Sequence, residues 1–310
     1  MLRILVKKLI QGIIMLVVVS AITFVLLSAA GGDAFTSLRE NPQISEKTIE
    51  ELRRVYGLDR PLAVRYASWL GGAATGDLGE SFLYRIPVSG LVWARFLKTA
   101  SMAFIAFVIA VVVSFLLALA SVLYRNRLLK GMIELVILLS ASTPRMVLAL
   151  LVLVVMLQLS FVAGAAGADG PASLIAGAIV LAVPLISIFL AQLRDELAEV
   201  MHEDFIRLAR AKGLSETAVI TRHAFRAAVN PFLTVAGLSL GGLLGGSVIV
   251  EMVLGWPGLG ALTVMAVRAR DIPLVMGVVL LASTAVWLGN ALAELLQAMN
   301  DKRVRDGETT

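Results

Sequence analysis

DFIRLARAKGLSETAVITRHAFRAAVNP, Asp204 to Pro231, is a polar, helix-prone insert between two long apolar runs of a largely hydrophobic chain. From Arg194 to Asn230 there are six basic and six acidic side chains, plus His202 and His223. So even a balance does not suit an anchor for anionic lipid, which a polybasic strip serves better. The local pattern predicts two helices joined at a corner. Asp204 stands near the positive N-terminal end of the first helix and Lys212 near its negative C-terminal end. Gly213 is placed to stop it in a left-handed conformation. Ser215 can cap a second helix from Glu216, and Pro231 opens the next apolar run. Ala209 and Ala211 keep the first helix slim near the corner, so another surface can approach closely.

The rest of the chain says what lies around this insert. Of 310 residues, 59% are hydrophobic and 16% charged, with a mean hydropathy of +0.90. Soluble domains average about 45–50% apolar and about 25% charged. The excess predicts an all-α integral membrane protein. A helix needs about 20 apolar residues to cross the hydrocarbon core. Six stretches qualify, roughly 9–30, 99–123, 133–162, 172–193, 231–254 and 273–297. The third is interrupted by Glu134, Pro144 and Arg145. The expected organisation is a tail and first span over 1–30, an extracytoplasmic segment over 31–98, a five-helix body over 99–300 and a tail over 301–310. The polar loop, about 194–230, lies between spans 4 and 5.

Basic residues choose the sides, because cytoplasmic flanks collect lysine and arginine. Arg3, Lys7 and Lys8 precede span 1, and Arg125, Arg127 and Lys130 separate spans 2 and 3. Arg194, Arg207, Arg210, Lys212, Arg222 and Arg226 lie in the polar loop, and Lys302, Arg303 and Arg305 follow span 6. Both termini and these loops are therefore expected in the cytoplasm. The net charge of +5 and pI near 9.7 are read as topology and contact with lipid, not as nucleic-acid binding. The basic start and Ser28-Ala29-Ala30 resemble a secretory signal, but the apolar run exceeds the about 7–15 residues of a cleaved one. A retained first span is expected.

In the outer segment, Ser45 can cap a helix through SEKTIEELRRVYGLDRP, with Ile44 and Ile49 spaced as a staple. Leu52, Val55 and Tyr56 extend its apolar stripe and Gly57 ends it. Pro61 starts a second helix, and Gly76-Asp77-Leu78-Gly79 reads as a turn. Either a plain helical cap or a docking surface for a soluble partner fits this pattern.

Several chemistries find no support. There is no cysteine, hence no disulfide, thiol catalysis or lipidated cysteine. His202-Glu203 does not begin H-E-x-x-H, since Ile206 takes the second histidine's place, so no zinc hydrolase or other metal site is expected. No Walker-type run is present, so this chain carries no ATP site. Gly237-Leu238-Ser239-Leu240-Gly241 matches the hydrolase elbow but lies in an apolar span without a preceding strand. Gly237, Gly241 and Gly245 instead repeat every four residues, the close-packing pattern of membrane helices. No catalytic residues are expected. Arg145 is a charge at membrane depth, and such residues usually face a bundle interior or wet cavity. Two readings stand: a cavity residue drawing a carboxylate, or an interfacial arginine that snorkels. Glu251 and Asn290, polar residues in spans 5 and 6, are further candidates for a translocation path.

Ala209 to Pro231, ARAKGLSETAVITRHAFRAAVNP, resembles the cytoplasmic loop of permease subunits of bacterial ABC importers. The closer likeness is to the oligopeptide, dipeptide and nickel permease group. RYASWLGGAATGDLGESF, PVSGLVWARF and VIVEMVLGWPGLGALTVMAVRARDIP are similar to that group's outer segment and span 5 to 6 turn, so the resemblance covers nearly the whole chain. It departs at Arg207-Leu208-Ala209, where an acidic residue and two alanines are usual. It departs also at Asp301-Lys302-Arg303, usually Asp-Pro-Arg, and at Arg145, usually aromatic. The resemblance implies a multi-pass subunit of the bacterial inner membrane. Its partners would be a homologous second permease, two cytosolic ATPases that hold ATP and Mg, and an extracytoplasmic substrate-binding protein. It implies no cofactor in this chain. It implies that Ala209, Lys212, Gly213, Leu214 and Ser215 form a coupling helix seated on an ATPase. The cargo it implies is a di- or oligopeptide, with nickel chelates, glutathione-like and sugar-derived solutes as alternatives. A self-powered ion-coupled transporter is the alternative of another class. It calls for internal repeats, broken helices and ion-coordinating groups near the midplane; no convincing internal repeat is present, and acids at depth are few.

Overall fold

A computed structural model of the chain describes residues 2–30, 45–124, 126–158 and 169–300. Ile44, Arg125, most of the 163–171 loop and the 301–310 tail lie outside the described residues. Among the described residues the chain is helical, apart from turns and one isolated bridge between Glu80 and Pro87. The first helices are α1 (Leu2–Ala29), α2 (Glu46–Val55), α3 (Leu62–Ala74), α4 (Val88–Leu123), α5 (Arg127–Ser142) and α6 (Arg145–Gln158). There follow α7 (Pro171–Val200), α8 (Asp204–Ala211), α9 (Glu216–Ala218), a π-helical turn (Val219–Ala224), α10 (Phe225–Leu254), α11 (Leu259–Arg268) and α12 (Ile272–Asn300).

Five of these helices, α1, α4, α7, α10 and α12, contain stretches long and apolar enough to cross a membrane. The count reaches six if α5 and α6 together make one span, but they are bent by 103° at their junction. The expectation of a single helix over 133–162 is corrected here. Thr143, preceding Pro144, is extended at φ −91°, ψ 118°, and its N–H closes α5 on Leu139 O at 3.1 Å. Proline disfavours helical geometry in the residue before it and has no N–H of its own to give. Two further differences concern the segments between the apolar runs. α4 starts eleven residues before the expected 99, and the stretch between the apolar runs 231–254 and 273–297 contains α11.

The chain divides into two compact units. The first comprises Met1–Thr99 and Pro257–Ala285. In it Ser45 Oγ accepts the N–H of Thr48, and Gly57 takes φ +64° after α2. Val55 is exposed, however, so the apolar stripe of α2 does not run through it. α3 lies along α1: the Tyr66 hydroxyl donates to Val17 O at 3.1 Å and lies 2.9 Å from Ser20 Oγ. The Gly76–Gly79 turn is closed by Gly79 N–H on Asp77 Oδ1 at 2.9 Å. Asp271, fully buried, organises the rest. Its Oδ2 accepts Ser81 Oγ at 2.6 Å and Leu83 N at 3.0 Å, and its Oδ1 accepts Leu274 N at 3.1 Å. One carboxylate thus caps α12 and pins the turn that precedes α4.

The second unit comprises Ala100–Trp256 and Val286–Thr310. α7 is its axis and packs against α5, α6 and α10. Leu181, Leu185, Phe189, Leu193 and Leu197, each buried, recur every four residues along one face of α7. Phe189 meets Phe232 edge-on at 5.1 Å between centroids, and Phe232 meets Phe115 at 5.1 Å. Hydroxyls tie the helices where apolar contact with lipid gives no preference for protein. Ser114 donates to Ile186 O at 3.3 Å and Ser187 to Ile137 O at 3.1 Å.

Replacing Asp271 by alanine is expected to lower stability by about 2–3 kcal/mol, since it orphans buried donors of a charge-assisted network. Ser81→Ala, which removes one donor, should cost about 1 kcal/mol. Thermal unfolding of the detergent-solubilised protein measures both, and equal melting of Asp271→Ala and the parent would refute the pinning role.

Candidate functional site

The polar insert folds as an elbow. α8 begins at Asp204, whose carboxylate suits the positive helix end, and its C-cap is Lys212. Gly213 then takes φ +80°. Its N–H bonds Arg210 O at 2.9 Å and the N–H of Leu214 bonds Ala209 O at 3.4 Å. This pair of bonds is the Schellman closure, which satisfies carbonyls the helix end leaves open. A Cβ at Gly213 would meet nothing within 4 Å, so glycine is needed there for backbone angle and not for space. Ser215 Oγ accepts Ala218 N at 3.3 Å and starts α9.

A second fastening crosses the corner. Arg210 Nε donates to Glu216 Oε2 at 3.1 Å and Nη2 to Oε1 at 2.7 Å, a two-pronged pair. Hydrogen bonding to Glu216 raises the Arg210 pKa above the ordinary arginine value, so arginine stays charged throughout the physiological range. The pair is exposed, and exposed pairs contribute little stability; its two-pronged geometry spans the corner from α8 to α9. The π-helical turn from Val219 to Ala224 joins α9 to α10. Such wide turns inside helices are frequent at functional sites.

The faces of the elbow are distinct. Ile206 and Ala209 are buried in the hydrophobic core of the second unit. Ala209 therefore faces this chain and not a free surface. Lys212, Gly213, Leu214 and Ser215 are exposed at the corner. Leu214 (42% exposed) is apolar, and on α8 two more apolar side chains are open to solvent, Phe205 (43%) and Leu208 (57%). Phe205 and Leu208, which the sequence pattern does not single out, lie on α8 eight and five residues before Gly213.

Arg145, the first residue of α6, sits immediately after the bend and is half-buried. Its guanidinium lies against Gly246 of α10. A Cβ there would stand 2.7 Å from Arg145 Cζ and closer still to Nη1. Gly246 was missed because the four-residue repeat of Gly237, Gly241 and Gly245 runs beside it. Gly237 is buried, and a Cβ at Gly241 would lie 3.0 Å from Val286 Cγ1 of α12. Gly245 is exposed with nothing within 4 Å of its Cβ position. Glu251 is fully buried in α10. Asn290 lies on α12 with Oδ1 buried and, among the described residues, without a hydrogen-bond partner.

Comparison with known proteins gives a consistent result. Residues 110–306 match the family described as binding-protein-dependent transport system inner membrane component, and residues 1–103 match that system's N-terminal membrane component family. A putative peptide permease protein of Brucella suis biovar 1 is 33% identical over 317 residues, covering 98% of this chain and 99% of that one. A putative peptide transport system permease protein of Brucella abortus is 35% identical, covering 96% and 98%. The glutathione transport system permease protein GsiC of Escherichia coli O6:H1 is 32% identical, covering 98% and 99%. The crystal structure of an amino acid ABC transporter with histidines aligns with a TM-score of 0.52 at 19% identity, covering 69% of this chain and 94% of that one. That likeness bears on the fold alone.

Gly213→Val should open the elbow, because a non-glycine residue held left-handed costs about 1–3 kcal/mol. Amide exchange over 204–218 is expected to quicken about tenfold or more. Gly213→Asn, which tolerates those angles, should exchange nearly as the parent does. Unchanged exchange in the valine variant would contradict the assignment.

Proposed function

The chain belongs to the family of binding-protein-dependent transport system inner membrane components, and from that premise we propose how this permease subunit of an ABC importer works. It spans the inner membrane six times, counting α5 and α6 as one broken span, with both termini and the elbow in the cytosol. Segment 31–98 faces outward, towards an extracytoplasmic binding protein. A homologous second permease packs on the open glycine face around Gly245. Two cytosolic ATPases, holding ATP and Mg, supply the energy. A broken span also occurs in ion-coupled transporters, but family matches covering both ends of the chain favour the ATP-driven reading.

The single observation carrying this reading is the elbow. An ATPase that closes and opens must pull on something stiff. The left-handed closure at Gly213, the Ser215 cap and the two-pronged Arg210–Glu216 pair make one rigid body of α8 and α9. Phe205, Leu208 and Leu214 project from it as apolar anchors for a groove on the ATPase. Ile206 and Ala209 root it in the core around α7 and α10. Force applied at the anchors therefore reaches the spanning helices without first unfolding the corner.

The cargo is a short peptide or a glutathione-like solute. Peptide and glutathione permeases among the relatives support this, as does Arg145. Its cation sits where α6 meets the glycine-lined side of α10 and suits a cargo carboxylate, with Glu251 and Asn290 as further polar groups of the path. Gly246→Ala displaces that guanidinium, so it should reduce uptake of a labelled dipeptide as strongly as Arg145→Gln does. Full uptake by both variants would remove Arg145 from the path.

The coupling reading is tested by co-purification. Leu208→Asp with Leu214→Asp should lower the recovered ATPase subunits about tenfold or more, as expected for buried apolar anchors. Arg207→Ala, whose exposed pair with Asp204 spans 3.3 Å, should leave recovery unchanged. Undiminished recovery with the double aspartate variant would overturn the docking face.

A further inference from the structure

A cavity of about 680 Å³ opens beside the elbow. Its walls come from the end of α4, the start of α5, the end of α7 and the α9 corner. The volume lies within the range of about 300–1,000 Å³ seen for small-molecule sites. Its floor is apolar, formed in part by the buried side chains of Ile133 and Leu197. Its titratable side chains are Lys130, Glu134, Arg194, His202 and Glu216, with the hydroxyls of Ser121 and Thr217 beside them.

These groups differ in how far they are already engaged. Glu216 is held by Arg210 in the two-pronged pair that fixes the elbow. Arg194 Nη1 and Glu134 Oε1 approach to 3.5 Å, a loose contact that leaves both with capacity for a further partner. Lys130 and His202 make no ion pair among the described residues. The cavity therefore offers donors for an anionic group at Lys130, His202 and Arg194, and one incompletely engaged carboxylate, Glu134, for a cationic one. Ile133 and Leu197 add apolar wall to the same cavity. This is the complement of a small zwitterion with an apolar side chain.

We propose that this cavity binds a short peptide or amino acid with free termini from the cytosolic side. Lys130 and His202 take the carboxylate and Glu134 takes the ammonium group. The inference rests on the orientation given above for the elbow. Because Glu216 forms both a wall of the cavity and half of the Arg210 fastening, an occupant touches the part that transmits force. Delivered cargo then acts back on the importer, slowing ATP hydrolysis as it accumulates inside.

The test uses the permease assembled with its ATPases in lipid nanodiscs and alanyl-alanine as the probe. Calorimetry should show saturable binding, weakened about tenfold or more by N-acetylation or by amidation of the probe. Lys130→Gln and Glu134→Gln should each weaken alanyl-alanine binding about tenfold or more, while Lys130→Arg retains it. The probe should slow ATP hydrolysis by the parent complex and not by the Lys130→Gln complex. Failure of the ATPases to co-purify would sink the coupling reading itself. An assembled complex that shows no saturable binding overturns the cavity proposal alone. So does binding indifferent to Lys130→Gln and Glu134→Gln, which would place the probe elsewhere.

Discussion

Hydrocarbon offers no water to a backbone N–H or carbonyl, so each must find its partner within the protein. That constraint explains why the described residues are helical and where the helices depart from regularity. The sharpest departure, at Thr143 and Pro144, lies next to Arg145, where a side chain and the bare face of α10 line the break. The glycine corner and the π-helical turn fall within the polar insert, where the composition changes and water can satisfy exposed groups.

The elbow is built from several small constraints that agree. Left-handed glycine, reciprocal carbonyl closure, a serine cap and a planar ion pair each contribute modestly. Together they tie α9 to the end of α8. A lever needs stiffness more than stability, and short-range geometry supplies stiffness without a large core. Burial of Ile206 and Ala209 then connects this stiff corner to α7 and α10, the best-packed part of the second unit. Sequence, local geometry and packing point the same way here.

Much of this was legible in the residues because the signals were local. Gly213, Ser215, Gly57 and the Gly76–Gly79 turn announce themselves by conformational preference, and the structure places each in the expected geometry. Hydropathy found the apolar stretches, but α4 starts eleven residues before the expected 99 and the third stretch is two helices. What escaped was non-local. Nothing in the chain order brings Asp271 to Ser81, or Gly246 to Arg145, since each pair depends on how distant helices cross. Arg210 and Glu216 are six residues apart, a spacing that no regular helix makes into neighbours; the glycine corner does so. The bend between α5 and α6 was signalled by Pro144, but hydropathy averages across it and reports one span. Ala209 was legible as small, yet only packing shows which way it faces.

The central claim, that the corner moves as one body, is open to a direct physical measurement. The chain has no cysteine, so nitroxide labels can be placed on cysteines introduced at Arg207 and Thr217, both exposed on opposite arms of the elbow. Pulsed electron resonance on the assembled transporter should return the same narrow distance distribution without nucleotide, with ATP trapped and after hydrolysis. A distribution that broadens or shifts with the nucleotide state would mean that the elbow flexes and cannot be the lever described.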